Sequence, residues 1–211
     1  MVTNNIDKDK LKAYGCLGLF FLPFVAVGIW TLYKSISNIY DSQKTDDWKK
    51  VTAIVEKATI EYDTDSEGTE TAKVIIQYKY TIHNVNYTGD KIAYGYGNNN
   101  VEEHSVLFSN VEHAKKIAVF VNPDDYSEAV IIKGMNNSIV FLLVFSMLWN
   151  SLISFFLLPL LLKKNTKINV KTYFLVVAII WILGFTFLIS EKFSIPFGEK
   201  LEVIENKPVQ Q

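Results

Sequence analysis

The chain has 211 residues, 49% apolar and 14% aromatic, and its 22 acidic and 21 basic residues leave a net charge of −1. This composition excludes a disordered or fibrous chain. Every basic residue is a lysine and the one cysteine is Cys16, so the pattern argues against a nucleic-acid partner, an internal disulfide framework and a cysteine cluster for zinc.

The apolar residues are clumped. Tyr14 to Tyr33 (20 residues), Ser138 to Leu162 (25) and Thr172 to Ser190 (19) carry no charged side chain, and each is near the roughly 20 residues a helix needs to cross a bilayer. The sequence therefore predicts a membrane α + β protein with transmembrane helices at 14–33, 138–162 and 172–190. Lys8, Lys10 and Lys12 imitate the start of a signal peptide. The first apolar run is too long for one and ends in the interfacial anchors Trp30 and Tyr33, so a retained helix is expected. Pro23 and Pro159 are expected only to kink or terminate their helices. The loop 163–171 holds Lys163, Lys164, Lys167 and Lys171 and no acid. The positive-inside rule makes it cytoplasmic, together with residues 1–13, and leaves 34–137 and the tail 191–211 outside.

The spans contain no Asp, Glu, Lys, Arg or His, so a proton relay or ion-coupled transporter core lacks its usual groups. Asn150, midway along the second span, is expected to make an interhelical hydrogen bond of about 0.6–2 kcal/mol, holding a bundle or a homo-oligomer. Cys16 has the position of an acylation site, but as a small apolar residue it needs no such role.

Residues 34–137 form the outer domain. Val74, Ile76, Tyr78, Tyr80 and Ile82 alternate with mostly polar residues, the mark of a half-buried strand. Asn84-Val85-Asn86 supplies a turn and Tyr87 to Tyr94 resumes an extended run, making a hairpin. Upstream, Val51, Ala53 and Val55 alternate and the face switches before Ile60 and Tyr62, as a β-bulge would cause. Val101 to Val111 reads as a short helix or a loop. Ile117 to Val121 and Ala129 to Ile132 flank the turn Asn122-Pro123-Asp124-Asp125. Five or so strands imply a small antiparallel sandwich or barrel inserted between the first two membrane helices. Ser35 to Asn137 holds 16 acidic and 10 basic residues, a net of −6.

Several local patterns occur in one order: Trp48-Lys-Lys-Val51-Thr-Ala53-Ile-Val55, the Tyr78-x-Tyr80 strand, Tyr87 with Gly89, and Val119-Phe-Val-Asn122-Pro123 running to Glu128-Ala129-Val130 ahead of a further apolar helix. The order resembles the bacterial membrane proteins grouped as domain of unknown function 3592, over about residues 45 to 135 plus the first two helices. The chain departs from the family in using Asn84-Val85-Asn86 where a glycine turn is usual and in adding a third helix. The resemblance implies this architecture and a bacterial envelope location, and it carries no catalytic residues.

Catalysis would draw on His83, His104 and His113. The pairs Glu103-His104 and Glu112-His113 invite a metal reading, but nine residues place the two histidines on opposite faces of a helix or of a strand. Asp63-Thr-Asp65-Ser-Glu67-Gly68 opens like a calcium loop, yet its twelfth place is Val74 and strands flank it, so an acidic hairpin tip is expected. Asn86-Tyr-Thr88 and Asn136-Asn-Ser138 match the glycosylation triplet and carry little weight. Tyrosines alternating along one strand read as core. Tyr94 and Tyr96, followed by Asn98, Asn99 and Asn100, read instead as an exposed aromatic and Gly/Asn binding loop.

The expected function is thus non-enzymatic. No cofactor or metal is expected, and the partners are the lipid bilayer and an envelope protein or other ligand gripped by the outer domain, in a multi-pass bacterial inner-membrane protein with a cytoplasmic N-terminus. An immunity protein neutralising a toxin that attacks the envelope or crosses the membrane is the alternative, and an oligomeric pore or transporter subunit the second.

Overall fold

Helix α1 runs over Lys8–Lys44, beyond both ends of the charge-free window Tyr14 to Tyr33. Absence of charge marks what a bilayer tolerates, whereas lysine and serine continue a helix without interrupting it. The computed structural model describes residues 8–64, 66–97, 99–161, 169–189 and 200–208. The chain divides into two units, Met1–Ser35 with Leu142–Ile189, and Ile36–Phe141 with Ser190–Gln211.

The first unit is helical and contains most of α1, of α3 (Asn137–Leu161) and all of α4 (Val170–Ile189). Two helices, over Leu17–Asp47 and Asn137–Leu157, are long and apolar enough to cross a membrane. α4 adds a further apolar helix of 20 residues. The loop 163–168 lies outside the described residues.

The second unit is a β domain. β1 (Lys49–Thr64) and β2 (Glu70–Ile82) form a long hairpin, β3 is Val85–Gly89 and β4 Asn99–Asn100. α2 (Val101–Glu112), β5 (Ala114–Val121), β6 (Ala129–Val130) and β7 (Val203–Asn206) complete it. All the described strands belong to one antiparallel sheet ordered β3-β2-β1-β5-β6, with β4 beside β2 and β7 beside β5.

Of the two architectures expected, sandwich or barrel, a two-sheet sandwich is not what forms. The chain after β6 meets the chain after β3: Ile131 and Ile132 donate their backbone N–H groups to the Ile92 carbonyl at 3.0 and 2.8 Å. The two ends of the strand order are thereby joined and the sheet is curled. Helix α2, the stretch read as helix or loop, packs against β1 and β2. It buries His104, Leu107 and Val111 and packs Phe108 on the core, at helical spacing.

The period-two pattern of β2 places Val74, Ile76, Tyr78 and Tyr80 in the core. In β1 the register against β2 shifts between Val55 and Lys57. That bulge moves the core face from the odd positions Ala53 and Val55 to the even positions Ala58 and Ile60. The β2–β3 turn is shorter than Asn84-Val85-Asn86. His83 and Asn84 both take positive φ, 49° and 64°, and Val85 already pairs with Ile82. Histidine and asparagine tolerate the left-handed region a two-residue hairpin needs. The extended run also stops at Gly89 rather than reaching Tyr94. In that pairing Tyr80 stacks on Tyr87 with ring centroids 5.7 Å apart, and Tyr78 faces Gly89. A Cβ on Gly89 would lie 2.5 Å from the Tyr78 ring, so glycine leaves the ring its place.

β7 comes from the region read as a tail. It pairs Val203 with Ile117 and Asn206 with Ala114, and Lys115 and Lys116 both bind the Glu205 carboxylate.

Candidate functional site

The predicted binding loop lies in the segment between β3 and β4. Tyr94 is half-buried rather than displayed. Its ring meets Trp48 edge-on at 6.1 Å, the Lys91 ammonium sits 4.3 Å above it, and its hydroxyl donates to Glu128. Glu128 also accepts from Asn122 Nδ2 at 3.1 Å and lies 3.6 Å from Lys91 Nζ. Burial, and then the Glu128 contact, push the Tyr94 hydroxyl pKa well above its ordinary value, while the hydrogen bond from Tyr94 holds the Glu128 carboxyl below its own. The Tyr94 carbonyl accepts from Asn136 Nδ2 at 2.8 Å. Asn136 also caps α3, its Oδ1 taking the Ile139 N–H at 3.2 Å. Because Asn136 is fully buried, the triplet starting there presents no acceptor for a glycan.

Gly95 follows with φ +69°, and a Cβ built on it would lie 2.6 Å from Ile139 Cγ1. The Tyr96 oxygen accepts the Val74 backbone N–H at 2.8 Å and lies 2.7 Å from His104 Nδ1. The two groups share one hydrogen bond, which either the tyrosine O–H or an Nδ1–H of the imidazole can donate. Burial raises the Tyr96 pKa to about 12 and lowers that of His104. Asn98 lies outside the described residues, while Asn99 and Asn100 form β4 and pair with Ala72 and Thr71. The expectation of an exposed aromatic loop therefore does not hold for Tyr94 and Tyr96. Aromatic residues in a Gly/Asn context look exposed in a sequence, and here Trp48 and Glu128 against Tyr94, and Val74 against Tyr96, all distant along the chain, leave them half-buried.

The three histidines occupy separate places. His83 is in the β2–β3 turn against Tyr126, His104 is inside the α2 packing, and the His113 Nδ1 lies 2.9 Å from the Ser109 carbonyl. Among the described residues no group of three His, Cys, Asp or Glu side chains is placed to hold a metal ion. The calcium-like segment sits at the β1–β2 hairpin tip, with Asp65 outside the described residues and Gly68 at φ +85°.

Asn150 lies in the helical unit and joins α3 to α1. Its Nδ2 donates to the Gly28 carbonyl at 3.0 Å and to the Ser146 carbonyl at 2.7 Å. Gly28 leaves it room, since a Cβ there would lie 2.6 Å from Asn150 Oδ1. Trp149 Nε1 donates to the Phe24 carbonyl at 3.0 Å one turn away, and on the α4 side Trp181 Nε1 donates to Ser151 Oγ at 2.8 Å.

The acidic hairpin tip expected at 63–68 is the end of a longer feature, the distal β1–β2 hairpin. β5 pairs with β1 only as far as Ile54, and β1 continues to Thr64 against β2. Glu56, Glu61, Asp63, Glu67 and Glu70 are exposed along this arm, together with Tyr62 at 59%. From Glu56 to Glu70 the chain has six acidic residues and one lysine. That charge run is the signal in the sequence for the arm.

Residues 51–136, the span from β1 to the cap of α3, match the family model described as Domain of unknown function (DUF3592). This β region is a DUF3592 domain. Neither a curated protein nor a solved structure matches the chain.

Proposed function

We propose that the chain is a multi-pass protein of a bacterial inner membrane whose DUF3592 domain faces outward and works by binding a protein with a basic surface. The observation that carries the binding reading is the β1–β2 arm, a hairpin with exposed carboxylates and an exposed Tyr62. An aromatic among like charges provides an anchor, and the acidic field accelerates encounter with a cationic partner.

The outward orientation is supported by β7. Residues before α3 and residues after α4 build one sheet, so an even number of membrane crossings separates them. Crossings by α3 and α4 satisfy this. They leave the lysine-rich loop 163–171 on the opposite, cytoplasmic side with the N-terminus.

Crosslinking of the full-length protein in native membranes tests the binding reading. A dominant partner should be captured, and the variant Glu61→Gln, Asp63→Asn, Glu67→Gln, Glu70→Gln with Tyr62→Ala should lose most of that capture. Undiminished capture by the variant would refute it. The immunity alternative shares the acidic-arm observation and is distinguished by the partner's toxicity when the partner is expressed alone.

A further inference from the structure

Strand β2 has a gap along its outer edge. β3 covers that edge from Tyr78 to Ile82 and β4 covers Thr71 and Ala72, so among the described residues no strand lies beside Lys73 to Gln77 on the side away from β1. The chain leaving β3 runs past the gap without closing it. Its carbonyls are committed elsewhere: that of Lys91 to the Tyr78 hydroxyl at 3.1 Å and the Ile131 N–H at 3.3 Å, that of Ile92 to Ile131 and Ile132, and that of Ala93 to the Tyr96 N–H at 3.4 Å. At one end of the gap the Tyr96 oxygen takes the Val74 N–H at 2.8 Å. Backbone direction repeats every second residue, so the N–H and C=O of Ile76 leave the strand on the same side as the Val74 N–H, into the gap. A cleft of about 290 Å³ lies there, lined by Val74 and Ile75 of the strand, by Lys73, Asp90 and Lys91, and by Tyr96.

We infer that this cleft binds a short extended peptide, two or three residues long, through its free carboxylate and its main chain. The charged groups are available. Neither Lys73 nor Asp90 is in an ion pair among the described residues, whereas Lys91 is turned onto the Tyr94 ring at 4.3 Å and toward Glu128 at 3.6 Å. The Lys73 ammonium receives the peptide's carboxylate, and Asp90 its α-ammonium. Between them, main-chain bonds to Ile76 complete the ladder that β3 and β4 leave open, which is strand addition over a few residues. The length of the gap sets the size of the ligand. With Tyr96 filling the Val74 end, the open edge runs from Ile75 to Gln77, roughly 10 Å at about 3.4 Å per residue, which two or three extended residues span. The volume agrees, since it equals that of about ten waters at roughly 30 Å³ each. A bare anion would use Lys73 alone and leave the edge groups unmet.

The test is equilibrium dialysis of the full-length protein in detergent against Ala-X-Ala tripeptides, X being each common residue in turn, in free, C-terminally amidated and N-acetylated forms, with sodium acetate as the bare anion. Free tripeptides should be retained at least five-fold more than their amides, and Lys73→Gln should lower retention at least five-fold. Asp90→Asn should weaken the free form and leave the N-acetylated form unchanged. Bound peptide should slow amide exchange at Ile76 at least five-fold and leave exchange at Ala53, in the core of β1, as it was. Retention of no tripeptide at millimolar concentration would overturn the inference, as would retention undiminished by amidation or by Lys73→Gln. Displacement of the peptide by an equal concentration of acetate would overturn it in favour of a simple anion site, and unchanged exchange at Ile76 would overturn the strand addition. Amidation alters the ligand and leaves the protein untouched, so that comparison holds whether or not a variant folds.

Discussion

Gly95 separates two costs that usually occur together. Its φ of +69° is expensive for any residue with a Cβ, and that Cβ would meet Ile139 Cγ1 at 2.6 Å. The first cost is roughly 1–2 kcal/mol and the second, an overpacking, about 1–3 kcal/mol. Two other glycines isolate the contributions. Gly68 has φ +85° with no atom within 4 Å of a built Cβ, whereas Gly97 has open space and no positive φ. Expected losses are therefore about 2–5 kcal/mol for Gly95→Ala, about 1–2 for Gly68→Ala and near zero for Gly97→Ala, where a reduced unfolded-state entropy even favours alanine slightly. Urea titration of the full-length protein in detergent, read by pulse proteolysis of the β domain, gives the three values. Ile139→Ala in the Gly95→Ala background should cost less than the sum of the single changes, by about the overpacking contribution. If Gly95→Ala matched Gly68→Ala and the double change were additive, Ile139 would be yielding freely and the tight approach would constrain nothing.

Three further outcomes are expected. Asn150→Leu removes the donor to Gly28 and should weaken the helical unit by about 0.6–1.7 kcal/mol, read as faster unfolding in denaturing detergent. Acid should loosen the β domain in two stages. His104 has a folded-state pKa below its ordinary 6.5, so its contribution is complete above that pH and is lost as the pH falls from 6.5 toward the lowered value. Glu128, depressed from 4.5, holds its contribution above 4.5 and loses it on further acidification. His104→Asn keeps a hydrogen-bonding group for Tyr96 without titrating, and should remove the first stage from a pH series of proteolysis rates. Glu205→Lys replaces the shared carboxylate of Lys115 and Lys116 with a third ammonium and should accelerate amide exchange across Ala114 to Ile117 several-fold.

What the sequence revealed and what it hid follow from distance along the chain. The alternation in β2, the bulge ahead of Ile60 and the turn at Asn122-Pro123 are local, and each was readable from a few residues. The surroundings of Tyr94 and Tyr96 were not, because they depend on Trp48, Val74 and Glu128. β7 was invisible for the same reason: Val203-Ile204-Glu205-Asn206 is too short for a periodic signal, and its partner lies in β5. The choice between sandwich and curled sheet turned on Ile92 accepting from Ile131 and Ile132, a closure that no single strand's pattern records. The ends of α1 escaped because a hydropathy window measures fitness for lipid, which is a different property from helicity.

The position of β7 also sets an order for biosynthesis. Residues 203–206 leave the ribosome after α3 and α4, so the part of the β5 edge that β7 covers stands open while those helices are made. An open strand edge is a template for aberrant pairing, and β7 closes it only after the whole of the intervening chain has been synthesised.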